Sequence, residues 1–384
     1  MTDFLPPPFL RNIQKSPIRQ ISDRAKAGDI SLGLGEPDLP TPDVIRKAAI
    51  RVIAEEQNGY TLQAGLPALR ECVALDYPQL NLSADQVVIT AGSQEALYLA
   101  LTTLIKAGDE VLIPDPGFVA YPTIVRMAGG IPITYPMPAA GNFSFDADAF
   151  RKALTKRTTL VVCVSPSNPT GRSLSAGDLA AIAAALKGTG IFLLSDEIYR
   201  DIYYDDEPPP TASTFYDRTI VISGLSKSMS MTGWRLGWIC GEAAVIRAAL
   251  VLHGYVTTCA STVSQKAALA AWTDEGAAAR ASIRRTFHQR RDYLVDLIRS
   301  ELGLKTVTPD GAFYTMMDVG KYGSSLAVAE RLLEHGVVTV PGSAFGSEGE
   351  GFLRISFCAD TSKLAEGVAR MKQAFAEQAG VASQ

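Results

Sequence analysis

The sequence is poor in the residues that build metal sites and disulfide frameworks. Its 384 residues include five cysteines and three histidines, which are scattered and form neither a CxxC nor an HExxH spacing. Widely spaced cysteines of odd number indicate reduced thiols, and we expect no metal site. The formal net charge is only −4, so the overall charge gives no reason to expect binding to nucleic acid or to an anionic membrane.

Long apolar runs are also missing. No run approaches the ~20 residues of a membrane-spanning helix, so we expect no membrane segment. The first residues, MTDFLPPPFLRN, hold an acid and three prolines where a secretory signal needs an uninterrupted apolar segment. With 47% hydrophobic and 20% charged residues, the composition predicts a globular cytoplasmic chain of about two domains.

Short apolar segments alternate with helix-compatible segments through the middle of the chain. They read QVVIT (86–90), EVLIPD (110–115), LVVCVSP (160–166), IFLLSDE (191–197) and TIVISG (219–224). Continuous apolar runs of this length predict an α/β fold, a mainly parallel sheet covered by helices on both faces. Such sheets bind ligands beyond the carboxyl ends of their strands. The polar residues that follow each run should therefore meet at one site.

The character of the chain changes after about residue 273. TDEGAAARASIRRTFHQRRDYLVDLIRSEL predicts one long helix, and GAFYTMMDV, GVVTVPG and FLRISFC alternate with helical stretches in a smaller α+β unit. The arginines of RRTFHQRR are interpreted as a solvated helix face and not as a site for RNA. We predict a large domain over 40–284 and a small domain formed by 1–39 and 285–384.

The turn after the first run, AGSQ (91–94), predicts an anion site. Gly92 permits a tight turn and Ser93 is a good N-cap, so free backbone N–H groups would point out of the strand end. An ordinary capped helix would have the same sequence. The GxG of GLGEP is not a dinucleotide fingerprint, because Pro37 stands where that fingerprint must open a helix.

Charged residues follow the fourth and fifth runs. Asp196 ends an apolar strand, where a carboxylate is costly unless a cation meets it, although a helix N-cap would also use an aspartate. Lys227, in SGLSKSMSMTGWRLGW (223–238), has no acidic neighbour in sequence, and Arg235 follows it. A carboxylate, the nearby Tyr199, an anion cradle and an amine at neighbouring strand ends are the groups needed to hold pyridoxal phosphate.

These segments together resemble the class I/II (fold-type I) pyridoxal-phosphate-dependent aminotransferases, in particular the aspartate aminotransferase-like members. The resemblance covers nearly the whole chain and is carried by GLGEPDLPTP, GYTLQAGLPALRE, ITAGSQEAL, DPGFVAYP, SPSNPTG, SDEIY, SKSMSMTGWRLGW, PDGAFY and FLRISF. It implies a pyridoxal 5'-phosphate cofactor and the transfer of an amino group from an L-amino acid to a 2-oxo acid by a ping-pong mechanism. It also implies a homodimer with shared active sites.

The resemblance implies a role for each residue that matches a family motif. Lys227 would form the Schiff base, Asp196 would pair with the pyridine nitrogen, and Tyr199 and Asn168 would bond to the 3-oxygen. Phe118 would stack on the ring. The phosphate would be held by Gly92, Ser93, Gln94 and Arg235, and by Tyr60 of the neighbouring subunit. The substrate α-carboxylate would meet Arg354, Asn168 and the backbone of Gly35.

Other activities share these motifs. A pyridoxal-phosphate lyase that acts on a C–S or other bond at the β or γ carbon has the same fold, and a ligand sensor without catalysis belongs to another functional class. The preferred donor also stays open among alanine, aspartate, aromatic and methionine-like amino acids. One aspartate-preferring branch carries lysine at the position of Gln94, and no other motif supplies a cation for a distal carboxylate.

Overall fold

A computed structural model describes Leu5, Ile13 and residues 15–381. The prediction that the first twelve residues are not a secretory signal therefore concerns residues outside the described ranges, apart from Leu5. So do the outermost parts of the predicted small domain, residues 1–4, 6–12, 14 and 382–384. Of the helices in the described ranges, none is both long and apolar enough to cross a membrane.

A seven-stranded sheet forms the centre of the larger unit, and its strand order is β2-β8-β7-β6-β5-β3-β4. The strands of the described chain are β1 Ile30–Ser31, β2 Val87–Thr90, β3 Glu110–Asp115, β4 Ile131–Pro136, β5 Thr158–Val164, β6 Phe192–Asp196, β7 Thr219–Gly224, β8 Gly237–Cys240, β9 Tyr314–Asp318, β10 Val337–Val338, β11 Val340–Pro341 and β12 Phe352–Ser356. Only β8 of the seven runs antiparallel to its neighbours. The carboxyl ends of the other six strands therefore lie at one edge of the sheet.

Helices cover both faces of this sheet. The described helices are α1 Pro17–Ser22, α2 Asp43–Glu55, α3 Pro67–Leu75, α4 Ser93–Leu104, α5 Ala120–Met127, α6 Ala147–Ala153, α7 Ala176–Leu186, α8 Ala243–Val256, α9 Thr262–Ala268, α10 Asp274–Glu301, α11 Ser325–Glu334 and α12 Thr361–Val381. Alternate residues of a strand point to opposite faces, so in β5 Leu160 and Val162 pack against α4 and α5, while Val161 and Cys163 pack against α6 and α7. Burial on both faces explains why these strands are continuous apolar runs.

The smaller unit is built on a three-stranded antiparallel sheet of order β11-β12-β9 and on the parallel pair β1-β10. Its apolar core takes Ile21 and Leu32 from the N-terminal segment and Phe287 and Leu294 from α10. The first and last parts of the described chain therefore share one core. Arg354 lies on β12 opposite Met316 of β9, and its side chain reaches Asn168 of the larger unit.

The five predicted apolar runs form β2, β3, β5, β6 and β7, and the predicted long helix is α10, which begins after its N-cap Thr273. The α/β prediction is confirmed.

Two strands of the main sheet were not predicted. β4 (IPITYP) contains two prolines and lies at the sheet edge, where missing N–H donors are tolerated. β8 (GWIC) has only four residues, which directly follow the loop that contains Lys227 and Arg235.

Candidate active site

A cavity of about 340 Å³ opens at the carboxyl edge of the sheet, between the two units. Ten of the residues predicted from sequence line it: Gly35, Ser93, Gln94, Phe118, Asn168, Asp196, Tyr199, Lys227, Arg235 and Arg354. A larger cavity, of about 560 Å³, opens beside Arg172 and Asp310, and none of the predicted residues lines it. The chemistry therefore singles out the smaller cavity as the candidate site.

Lys227 follows β7 and is partly buried at this cavity. Its Nζ donates a hydrogen bond to the carbonyl oxygen of Gly35 at 2.8 Å. Within the described ranges the amine forms no ion pair with a carboxylate. Burial lowers the pKa of Lys227, while Cys358 and Glu36 act in the opposite direction. A lowered pKa increases the neutral fraction of the amine, which is the nucleophilic and basic form.

Asp196 is the last residue of β6, and its carboxylate is buried. The hydroxyl of Tyr121 donates to Oδ2 at 2.8 Å, and the backbone N–H of Ile198 donates to Oδ1 at 3.2 Å. No cation of the described chain forms an ion pair with it, so burial raises its pKa to about 6 despite those two bonds. A buried carboxylate without a cation is suited to a cationic ligand atom.

Arg354 is buried, with 2% of its surface exposed. Its Nη1 donates to Oδ1 of Asn168 at 2.8 Å, and its Nη2 donates to the carbonyl oxygen of Gly33. The guanidinium lies over the Tyr314 ring, 4.3 Å from the centroid. Its Nε has no hydrogen-bond partner in the described chain. A buried guanidinium that contacts only neutral groups is suited to bind a carboxylate in bidentate fashion.

The turn between β2 and α4 faces the guanidinium of Arg235. Gly92 has a φ of +87° and is itself the N-cap, while Ser93 is the first helical residue. The prediction of Ser93 as the cap is wrong, because the turn needs a positive φ one residue earlier. A Cβ on Gly92 would lie 2.5 Å from Nη2 of Arg235, so only glycine allows this approach. The free N–H groups of the first turn and the guanidinium together form an anion cradle.

Two tyrosines of the site were not among the predicted site residues. Tyr121 holds Asp196, as described above, and Tyr314 shares a 2.9 Å hydrogen bond with the hydroxyl of Tyr199. Both tyrosines lie inside the motifs DPGFVAYP and PDGAFY. Their position in these motifs could have identified them as site residues. Phe118 packs edge-on against the Tyr121 ring at 5.6 Å.

Residues from α1 also line the cavity, namely Ile18, Arg19 and Ser22. These residues were not predicted, because a six-residue helix far from the motifs can be placed only by the tertiary fold. Tyr60 is the predicted residue that the structure keeps apart. It is 88% exposed and does not line the cavity of its own chain.

A buried polar network supports the anion cradle from behind. Glu95, in the first turn of α4, accepts hydrogen bonds from the backbone N–H of Ala91, from Thr257 and from the ring of His253. Burial raises the pKa of Glu95, but the bonds from those three groups outweigh burial and lower the pKa overall. This network fixes the backbone immediately before Gly92, and sequence reasoning missed it because its members are far apart in the chain.

Comparison with known proteins places this site in a family. The family model for aminotransferase class I and II matches residues 27–371. The chain is 39% identical over 373 residues to a probable N-acetyl-LL-diaminopimelate aminotransferase of Bacillus subtilis, covering 95% of this chain and 94% of the relative. It is 36% identical over 371 residues to an aspartate aminotransferase of Pyrococcus horikoshii, covering 94% and 95%.

The same relation holds in three dimensions. The structure of Thermus thermophilus aspartate aminotransferase with maleate superposes with a TM-score of 0.92 at 31% identity, covering 97% of this chain and all of that one. A match of fold, length and motif order over almost the whole chain leaves one conclusion. The chain belongs to the class I and II aminotransferases, enzymes that depend on pyridoxal phosphate.

Proposed function

We propose that this aminotransferase uses Lys227 as the amine that anchors pyridoxal phosphate and then moves a proton at the substrate Cα. One observation carries the proposal. Within the described ranges, a partly buried amine, a buried carboxylate without a cation and a buried guanidinium without a carboxylate line the same cavity. Each would be complemented by a different part of the cofactor and its substrate.

The cavity fits the cofactor. Arg235 and the N–H groups that follow Gly92 would hold the phosphate, and Asp196 would meet the ring nitrogen as an anion. Phe118 would cover one ring face, and Tyr199 and Asn168 would bond to the 3-oxygen. When bound, pyridoxal phosphate supplies an electron sink for the negative charge that develops at the substrate Cα.

Lys227 would carry the proton. Its pKa is lowered by burial, so the neutral amine is available at a smaller cost near neutral pH. The bond to the carbonyl of Gly35 holds Nζ at the cavity wall at 2.8 Å. A base that is already positioned removes the Cα proton at a lower cost in entropy.

Arg354 and Asn168 would bind the substrate carboxylate. The 2.8 Å bond between them orients the guanidinium before any substrate arrives, and the free Nε leaves it a further donor. Fixing the carboxylate directs the Cα–H bond toward Lys227. An L-amino acid enters, a 2-oxo acid leaves, and a second oxo acid accepts the amino group, which gives ping-pong kinetics.

We also propose a homodimer in which Tyr60 reaches the phosphate of the neighbouring site. The described chain exposes apolar side chains that lie on α8 and on the segment before α3: Tyr60, Leu62, Val251 and Tyr255. The two segments are joined by a 2.9 Å bond from Gln63 to the carbonyl of Leu250. Adjacent exposed apolar residues of this kind support an interface with another chain.

Two further assignments are proposals of the same kind. The division into 40–284 and 1–39 with 285–384 is supported by the shared core of Ile21, Leu32 and Phe287.

A cytoplasmic location is supported by five free cysteines. Burial raises the pKa of the Cys163 thiol to about 12, which keeps this thiol unreactive.

The test of the catalytic assignment is the visible absorption of the protein with pyridoxal phosphate. In the wild type, an L-amino acid should shift the band of the bound cofactor and a 2-oxo acid should restore it. Lys227→Ala should lose the band shift and lower turnover by roughly 10²- to 10⁴-fold. Lys187→Ala, at the exposed end of α7, is the matched control and should behave as wild type.

Two results would contradict the proposal. Release of ammonia and an oxo acid without any acceptor would indicate a lyase. Full activity in Lys227→Ala would show that another amine acts.

A further inference from the structure

One cation of the active-site cavity has no assigned partner. Five charged residues line the cavity: Arg19, Asp196, Lys227, Arg235 and Arg354. In the proposed function Arg235 meets the phosphate, Asp196 the ring nitrogen and Arg354 the α-carboxylate, while Lys227 carries the proton. Arg19 remains, and within the described ranges its guanidinium forms no ion pair.

The helix that carries Arg19 is held firmly against the small unit. Ser16 caps α1 by accepting the N–H of Arg19, and Pro17 occupies the first turn. Ile21 is buried in the core of the small unit. Arg24, just beyond the helix, pairs with Glu330 of α11 at 3.0 Å. These contacts on one side of the helix leave Ile18, Arg19 and Ser22 on the side that lines the cavity.

Arg19 is exposed to solvent, and the cavity that it lines has apolar as well as polar walls. Leu34, Leu97, Phe118 and Val119 line the cavity with Ile18. The single acidic residue of the lining is Asp196, whose carboxylate is engaged by Tyr121 and Ile198. A guanidinium that lines the cavity and has no carboxylate partner within the described ranges favours an anionic group on the ligand.

We propose that Arg19 binds the distal carboxylate of dicarboxylic amino donors and of the corresponding 2-oxo acids. This inference rests on the proposed function, in which Arg354 takes the α-carboxylate at the other end of the same substrate. Aspartate, glutamate and their 2-oxo acids are the substrate class. Donors with a neutral side chain contact apolar residues of the cavity lining instead, such as Leu34 and Val119, and do not need Arg19.

The experiment uses single-turnover half-reactions of the holoenzyme with one donor at a time, followed by the absorption of the bound cofactor. A full ping-pong assay would confuse the result, because a dicarboxylic acceptor would itself depend on Arg19. The variants are Arg19→Met and Arg19→Lys. Lys26→Met is the matched control, since it removes an exposed cation from the same segment that does not line the cavity and forms no ion pair within the described ranges.

Arg19→Met should lower the second-order rate constant for aspartate and glutamate by roughly 10- to 100-fold, through weaker binding of the donor. Its rate with alanine and phenylalanine should stay within about threefold of wild type. Arg19→Lys should recover part of the loss, because it keeps the charge without the planar fork. Succinate should perturb the cofactor band at a higher concentration in Arg19→Met, whereas propionate should be unaffected.

Equal losses for dicarboxylic and neutral donors, or no loss for either, would overturn the role of Arg19. A wild type that converts neutral donors and neither aspartate nor glutamate would overturn it as well. Failure of the underlying function looks different. In that case Lys227→Ala stays active, or Arg354→Lys leaves both donor classes unaffected, whatever the Arg19 variants do.

Discussion

Asp196, the proposed partner of the ring nitrogen, lowers the stability of the fold that carries it. Its carboxylate is buried and its pKa is raised from 3.8 to about 6. The folded protein without cofactor therefore binds a proton between these pH values that the unfolded chain has already lost. Stability falls as pH rises through that window, and the loss remains above it. A cationic ring nitrogen beside Asp196 would remove this cost.

Asp196→Asn should therefore stabilise the cofactor-free protein and weaken its hold on the cofactor. At pH 8 we expect a gain of up to about 3 kcal/mol in the free energy of unfolding, which corresponds to the change in pKa. The gain should fall to about half at pH 5, where the carboxyl group of the folded wild type is mostly protonated. Urea unfolding at both pH values and titration with pyridoxal phosphate provide the two measurements. A variant that is less stable at pH 8 would contradict this account.

Glu95 is a residue whose replacement should lower stability and cofactor affinity together. Its carboxylate accepts three hydrogen bonds behind the anion cradle. Glu95→Gln would turn an amide toward donors that already point at this position, and we expect a loss of about 1–3 kcal/mol in stability. The dissociation constant of pyridoxal phosphate should rise as well, because the backbone of Ala91 loses its anchor.

Thermal unfolding and cofactor titration of Glu95→Gln measure these two effects. Glu55→Gln, at the exposed end of α2, serves as the control and should change neither value. Wild-type affinity for the cofactor in a destabilised Glu95→Gln protein would show that the network supports the fold alone.

At the scale of an element, the entry into α4 depends on one glycine. Gly92 combines a positive φ with the close approach of Arg235. Gly108 has the same φ of +87°, and a Cβ there would meet no atom within 4 Å. Alanine at either position should lower the free energy of unfolding by about 1–3 kcal/mol through the backbone alone, because side chains rarely adopt a positive φ.

Only Gly92→Ala should also weaken the cofactor site, because its Cβ displaces Arg235. We expect its dissociation constant for pyridoxal phosphate to rise roughly tenfold or more, with Gly108→Ala close to wild type. Fluorescence titration of both variants decides the matter. Equal affinities would mean that Arg235 adapts to the methyl group without loss.

The elements also show what could be predicted from sequence. β2, β3, β5, β6 and β7 were predictable because burial on both faces makes a strand apolar throughout. The residues after them were predictable because parallel strands end at one edge. α1 was not predictable as part of the cavity, since its position depends on Ile21 reaching a core formed some 260 residues later in the chain. The contact between Glu95 and His253 could not be predicted either, because the two residues are far apart in the chain.

At the scale of the whole molecule, the exposed Tyr60 and Tyr255 lie in the proposed homodimer interface. Tyr255 is 90% exposed on α8, and an aspartate there would place a charge in the proposed interface. Tyr255→Asp should shift the protein toward monomer in light scattering and should lose activity with it. A monomeric variant with full activity would contradict the sharing of sites.

Mixing two inactive variants tests the role of Tyr60 directly. A hybrid of Lys227→Ala and Tyr60→Ala chains has one site with both residues intact, if Tyr60 serves the neighbouring chain. Unfolding and refolding the mixture should therefore restore activity, up to about a quarter of wild type for random pairing. Restoration should be absent if Tyr60 acts within its own chain. Each variant refolded alone is the control.

The antiparallel strand β8 has a further consequence. Gly224, which ends β7, lies directly opposite Gly237, which begins β8, so segment 225–236 leaves and re-enters the sheet at one point. Closing a loop of this length carries a length-dependent entropy cost of roughly 2 kcal/mol. The pairing of β7 with β8 offsets this cost during folding. Lys227 and Arg235 are thus held at their separation before any cofactor arrives, and binding need not order the loop that carries them.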